Sequence, residues 1–156
     1  MSERKKELRI RPNPCIVMRA DASIGDCIRR MRDGAVGAVL VLHESGGPVA
    51  GIFTERDLLK HIDLIQHQEY WDKPVRMVMS RPVITLELSQ IEKASALMLK
   101  NRIRHLPIVS GTGAQQILVG VISIRDVLRA QQEWIQEMKA QFSFSFGETT
   151  QKEEDL

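Results

Sequence analysis

Two stretches of this chain are copies of one another, and that duplication limits the folds open to it more than any other feature. Ser23-Ile24-Gly25-Asp26-Cys27-Ile28-Arg29-Arg30-Met31 parallels Gln90-Ile91-Glu92-Lys93-Ala94-Ser95-Ala96-Leu97-Met98 at an offset of 67 residues. Gly51-Ile52-Phe53-Thr54-Glu55-Arg56-Asp57-Leu58-Leu59 parallels Gly120-Val121-Ile122-Ser123-Ile124-Arg125-Asp126-Val127-Leu128 at an offset of 69, so the second copy carries two more residues in between. A repeat of this kind means one supersecondary unit used twice.

Each copy reads as strand, helix, strand, strand, helix. In the first, residues 15–18 make a short apolar strand, and Ser23 caps a helix with Asp26 three residues on. Ile24, Cys27, Ile28 and Met31 recur at helical spacing and form one apolar stripe, which Gly34 ends. Residues 38–42 and 49–53 are β-branched-rich runs around Glu44-Ser45-Gly46-Gly47, a hairpin signal. A helix from Thr54 is expected to turn Leu58, Leu59, Ile62 and Ile65 inward. In the second copy residues 83–85 are the strand, and Ser89 with Glu92 reads as a capping box for a helix ending near Asn101. Residues 106–109 and 117–122 flank the loop Gly111-Thr112-Gly113-Ala114, and Ser123 opens a last helix through Val127, Leu128, Ile135 and Met138. A unit of about 60 residues buries too little surface to be robust alone. The expected class is therefore α+β, two such units packed about a pseudo-two-fold axis, with ligand-sized clefts where they meet.

The chain's 156 residues suffice for one compact domain. The expected divisions are a basic arm (1–11), the first unit (12–66), a connector (67–76), the second unit (77–131) and a helix extension with an acidic tail (132–156). The longest apolar run, 35–42, falls far short of the roughly 20 residues that span a bilayer, so no membrane association is expected. No apolar stretch follows the N-terminus, and a cytoplasmic location is the expectation. A net charge of +2 argues against a dedicated nucleic-acid binder, for which Arg29, Arg30 and Arg32 would be the available cluster. The basic start (Arg4, Lys5, Lys6, Arg9, Arg11) and acidic end (Glu148, Glu153, Glu154, Asp155) read as solvated termini.

Cys15 and Cys27 form no CxxC pair and are expected reduced and buried. The histidines, His43, His61, His67 and His105, lack metal-ligand spacing, and no metal site is expected. No nucleophile–base pair and no GxxxxGK[ST] loop stand out, so no catalytic residue is expected. Met77, Met79, Met98 and Met138 read as core and interface filler. Pro74 breaks helix in the connector after Tyr70 and Trp71. Trp134, Ile135 and Met138 carry the last helix past the repeat, where it can meet a partner subunit. Phe142-Ser143-Phe144-Ser145-Phe146 fits either an added edge strand or a disordered tail.

Chemistry gathers at Thr54-x-x-Asp57 and Ser123-x-x-Asp126, each between a strand and a helix, each shortly after a glycine (Gly51, Gly120). A hydroxyl with an acid three residues later is a capping box that needs no ligand. The same helix start offers free N–H groups and a positive dipole end to a phosphate, and its carboxylate can accept from a ribose diol. Arg56 and Arg125 fit either a phosphate contact or a surface ion pair. Arg102 reads as an exposed turn, whereas Arg104 and His105 lead into a strand facing the other repeat.

In these features the chain resembles a tandem pair of cystathionine-β-synthase-type (CBS) motifs, a Bateman module. Met77-Val78-Met79-Ser80-Arg81-Pro82-Val83, Asn101-Arg102-Ile103-Arg104-His105-Leu106-Pro107-Ile108-Val109 and the run from Gly120 to Asp126 carry the resemblance, which covers residues 12–131. It implies a βαββα fold per motif and two clefts per pair. It also implies an adenosine-containing ligand (AMP, ADP, ATP or S-adenosylmethionine, with NAD a further candidate), no obligatory cofactor, a homodimer, and a regulated partner protein. By resemblance Arg104, His105 and Pro107 lie at the ligand. Ile16, Val17, Val83 and Ile84 would hold adenine, although they would be apolar core in any case. The copies differ: the second has Arg104-His105 where the first has Gly37-Ala38, and Thr85 where the first has Met18. The cleft of Ser123, Asp126 and Thr85 is thus expected to bind better and the other to bind weakly or stand empty. The rival expectation is a constitutive dimerisation scaffold with vestigial clefts.

Overall fold

A computed structural model describes residues 9–43 and 47–147. The hairpin turn at Glu44, Ser45 and Gly46, the charges at Arg4, Lys5 and Lys6 and the acidic tail lie outside the described residues. The first repeat comprises β1 (Val17–Arg19), α1 (Ile24–Asp33), β2 (Ala38–Leu42), β3 (Val49–Thr54), α2 (Glu55–Lys60) and α3 (Ile62–Ile65). The second comprises β4 (Leu86–Glu87), a 3-10 turn at Leu88–Lys93, α4 (Ala94–Asn101), β5 (His105–Ser110), β6 (Ile117–Ser123) and α5 (Ile124–Gly147). The class is α+β, two matching half-folds. Each has a three-stranded sheet, β1-β2-β3 or β4-β5-β6, with the first pair parallel and the second antiparallel. Even the irregularities repeat: a register shift at Val41/Leu42 recurs at Ile108/Val109.

Local chemistry explains α1. The Ser23 hydroxyl accepts the Asp26 N–H at 3.0 Å, and Ile24, Cys27 and Met31 are buried from the same face. Gly34 caps the helix, but with φ −84°, and the left-handed residue is Ala35 at φ 49°. The space at Gly34 is tight: a Cβ there would sit 2.7 Å from Ile16 Cδ1 and 3.0 Å from the Arg30 carbonyl oxygen.

Several sequence expectations are corrected. The helix from Thr54 breaks at His61 (φ −113°, ψ 22°), which swings the following turn. Leu58 and Ile65 pack inward, but Leu59 (72% exposed) and Ile62 (50%) face solvent. The Ser89–Glu92 box does not form: Gln90 leaves helical space (φ −115°), and neither the 3-10 turn nor α4 has a side-chain cap. Residues 142–146 are neither strand nor tail but the end of α5, since a helix already nucleated extends at one hydrogen bond per residue. Met77 is exposed, whereas Met98 is buried and Met79 packs on the first core.

The short strands begin at Val17 and Leu86, later than 15–18 and 83–85, and ahead of each the chain crosses to the other repeat at Asn13 and Ser80. Asn13 N donates to Val121 O (2.8 Å) and Val121 N to Asn13 O (3.0 Å), adding residue 13 to the edge of β6. Ser80 and Ile52 exchange the same pair of bonds (2.8 and 3.1 Å) at the edge of β3. The cores are crossed likewise. Ile10 is buried with Leu86, Met98, Leu106, Ile108, Ile122 and Val127, while Val75 and Val78 are buried with Ile24, Val39, Val41 and Phe53. Gly51 and Gly120 make the crossings possible. A Cβ on Gly120 would lie 2.5 Å from the Asn13 carbonyl oxygen, and one on Gly51 would collide with Met79.

Gly120→Ala should therefore cost about 1–3 kcal/mol, the usual penalty for forcing extra volume into a packed site. Urea denaturation measures it, and an unchanged midpoint would mean the lead-in does not press on β6 in solution.

Candidate functional site

Because the lead-ins cross, each cleft between the repeats is built from both of them. The first takes Ser123, Arg125, Asp126 and Arg129 from the end of β6 and the start of α5. Facing them are Asn13, Pro14, Cys15 and Ile16 from the first lead-in and residues 35–38 from the α1–β2 turn. The second takes Ile52, Thr54, Arg56, Asp57 and Lys60 from β3 and α2, facing Ser80 of the second lead-in and Asn101, Ile103 and Arg104 from the α4–β5 turn. His105 lines both. Ser123 and Asp126 thus face Gly37 and Ala38, and Arg104 faces Thr54 and Asp57. Grouping the residues by repeat pairs them the wrong way round.

Thr85 accordingly does not line the cleft of Ser123 and Asp126. Of the four expected aliphatic residues, Ile16 lines the first cleft, whereas Val17, Val83 and Ile84 line neither, and Ile84 packs on the second core. Pro107 is buried within β5, opposite Val121. Sequence reasoning passed over Asn13 and Ser80. They stand 67 residues apart, the offset of the repeat, and that spacing could have singled them out.

The two acids share one geometry. Asp57 Oδ2 accepts from Thr54 N (2.9 Å) and Thr54 Oγ1 (2.8 Å), and Asp126 Oδ2 accepts from Ser123 N (2.7 Å) and Ser123 Oγ (2.6 Å). Both capping boxes are real, and each takes one carboxylate oxygen. The other oxygens differ. Asp57 Oδ1 accepts a 2.6 Å bond from Ser80 Oγ and has Lys60 Nζ at 3.8 Å, and the residue is 2% exposed. Asp126 Oδ1 lies 4.0 Å from Arg129 Nη1, and 16% of the side chain is exposed. Burial pushes the Asp126 carboxyl up, but the Ser123 bonds, the Asn13 side chain and Arg129 together hold it below its ordinary value of 3.8.

The cations are partly committed. Arg56 Nη1 donates to the carbonyl of Arg102 at 2.9 Å, which is the left-handed cap of α4, so it ties the two repeats together. Arg104 sits 3.9 Å from Glu55 in an exposed pair worth little. Arg29 and Arg32 are paired with Asp26 (2.7 Å) and Asp33 (2.8 Å), which neutralises much of the arginine face on α1. His105 occupies the space left by Gly37, where a Cβ would come within 3.2 Å of its ring. Burial lowers its pKa from 6.5, and nearby Arg104 and Arg125 add to the effect against Glu55 and Asp126. Cys27 is buried, its thiol pushed up to about 12, and Cys15 is half-buried on the wall of the first cleft with its thiol also raised by burial.

The two clefts enclose similar space, about 710 and 720 Å³ including the part open to solvent, so size does not distinguish them. Their walls do. The first sets Ile16, Val36, Ala38 and Val121 opposite a carboxylate and the start of the 24-residue α5. The second sets Ile52 and Ile103 among Thr54, Arg56, Lys60, Ser80, Asn101 and Arg104, around an acid whose oxygens are already engaged.

The CBS domain family model matches residues 6–64 and 75–133. An uncharacterized protein of Methanopyrus kandleri is 36% identical over 104 residues, covering 65% of this chain and 50% of its own length. The chain spans 65% and 53% of two further curated relatives. A CBS-domain protein of Agrobacterium tumefaciens superposes with a TM-score of 0.63 at 30% identity, covering 77% of this chain and 85% of that one. A CBS domain protein of Pyrobaculum aerophilum, solved in complex with AMP, superposes with a TM-score of 0.64 at 24% identity, covering 76% and 87%. Among the described residues no helix is long and apolar enough to cross a membrane.

A histidine whose pKa is depressed by folding stabilises the fold above its unfolded pKa of about 6.5 and loses that contribution as pH falls toward the folded value. The melting temperature should fall between pH 7 and 5, and His105→Gln should flatten that limb. Identical pH profiles for the two proteins would remove His105 as its cause.

Proposed function

The chain belongs to the CBS domain family and carries the motif twice, and from that premise we propose a non-catalytic regulatory module that holds one adenosine-containing ligand in the Asp126 cleft. One observation carries the choice of cleft: among the described residues no hydroxyl takes the second carboxylate oxygen of Asp126, which has the Asn13 side chain and Arg129 nearby, while the matching oxygen of Asp57 is taken by Ser80. In this reading Asp126 accepts the ribose hydroxyls and Ser123 holds it in place. Ile16, Val36 and Ala38 supply the apolar wall for adenine. The first N–H groups of α5, with Arg125 and Arg129 beside them, favour the phosphate end. His105, neutral at pH 7 because folding depresses its pKa, closes the far side.

The AMP complex of the Pyrobaculum protein supports AMP as the first ligand to try, with ADP, ATP, S-adenosylmethionine and NAD beside it. Thr54, Arg56, Asp57 and Arg104 belong to the second cleft, which serves as a seam between the repeats. The signal passes through homodimer geometry or to a regulated partner protein. Leu59, Leu99 (73% exposed) and Leu128 (57% exposed) give α2, α4 and α5 apolar surface suited to a second copy.

A ligand at 100 times its Kd adds about 2.7 kcal/mol, which raises the melting temperature of a domain this size by about 5–10 °C. Asp126→Ala should abolish the shift produced by AMP, and Asp57→Ala should keep it on a less stable protein. The bound ligand should also slow alkylation of Cys15. Silence across all five candidates would favour the constitutive scaffold. Leu99→Glu with Leu128→Glu should turn a dimer into a monomer in sedimentation equilibrium, and an unchanged mass would place the interface elsewhere.

A further inference from the structure

The first lead-in has a role that the acid alone does not explain. Its residues form one wall of the Asp126 cleft, and Asn13 also lines a second groove that continues along α5 past Arg9, Arg11, Arg129, Glu133 and Glu137. The lead-in is held to the second repeat by few interactions. Ile10 is buried in that core, Asn13 exchanges two backbone bonds with Val121, and the Asn13 side chain adjoins the Asp126 carboxylate. Pro12 and Pro14 flank Asn13 and have no N–H to add to the ladder. A strap of this kind opens locally at far lower cost than the whole domain unfolds.

The matching lead-in of the second repeat shows what a closed version looks like. There Ser80 makes the same two backbone bonds, to Ile52, and its hydroxyl locks onto Asp57 at 2.6 Å. Ser80 continues from the connector, whose residues Val75 and Val78 are fully buried, whereas Asn13 itself is exposed.

We propose that residues 10–16 form a ligand-responsive strap: a nucleotide in the Asp126 cleft bridges this strap and the start of α5, with Asn13 as the positioning residue that sets Asp126 for the ribose. The proposal rests on the nucleotide reading above and adds a mechanism to it. A ligand that touches both walls binds the closed strap and not the open one, so it lowers the open population by the factor 1 + [L]/Kd.

The test is hydrogen exchange on the full chain, with AMP as the probe and its binding measured separately by calorimetry. At 100 times the measured Kd, exchange of the Asn13 and Val121 amides should slow by about 100-fold, the factor set by linkage. The Ser80 and Ile52 amides, the built-in control, should slow no more than the deepest core amides do. Asn13→Ala should speed exchange at Val121 without ligand and weaken AMP at least tenfold. Asn13→Ser, which copies Ser80, should restore slow exchange at Val121 but leave AMP weak, because its hydroxyl takes the second Asp126 oxygen as Ser80 takes that of Asp57. AMP binding with unchanged exchange at Asn13 and Val121, or with full affinity in Asn13→Ala, would overturn the strap and leave the nucleotide reading standing. Slowing confined to Ser80 and Ile52 would overturn the choice of cleft and the strap together. Absence of AMP binding by calorimetry would overturn the strap as an AMP-responsive device and, with a silent ligand panel, the nucleotide reading as well.

Discussion

Two pairs of backbone hydrogen bonds, Asn13 with Val121 and Ser80 with Ile52, hold the rest of the structure in place. Each hands the lead-in of one repeat to the sheet of the other. Neither half-fold therefore has a complete wall of its own, and neither has a complete core, since Ile10 packs with the second and Val75 and Val78 with the first. At Gly120 the approach of the Asn13 backbone leaves no room for a side chain, and at Gly51 the Met79 side chain fills the space a Cβ would take. A small repeat that would be marginal alone gains its stability from this exchange.

The same crossing makes the functional surfaces. A helix start with a capping box is an ordinary local structure, satisfied by its own hydroxyl and acid. It becomes a candidate site where another element approaches and leaves a polar group only partly satisfied. At Asp57 the approaching residue is Ser80, and its hydroxyl completes the carboxylate's bonding. At Asp126 it is Asn13, whose side chain lies at the carboxylate, and among the described residues no hydroxyl takes the second oxygen. A serine in one copy and an asparagine in the other is thus the difference in what meets these two carboxylates.

The duplication, the strand and helix order, the Ser23 cap and the buried stripe of α1 were all legible in the residues, because each depends on neighbours within a few positions. So were the two hydroxyl–acid pairs. The misreadings share a cause. Leu59 and Ile62 were assigned inward on the assumption of one continuous helix, and a single non-helical residue, His61, undid it. Ser89 and Glu92 match the capping pattern, but Gln90 between them leaves helical space. The strands were placed too early because an apolar run does not reveal which sheet it will join.

The sequence by itself determined that there are two like units, the Ser23 cap and apolar stripe of α1 and the two hydroxyl–acid pairs, since these follow from periodicity and short-range hydrogen bonding. Only the tertiary structure decided which residues share a cleft. That pairing joins Asn13 to Asp126 and Arg104 to Asp57 across the repeat boundary. It is set by long-range backbone pairing and by the space two glycines leave, neither of which any local pattern encodes.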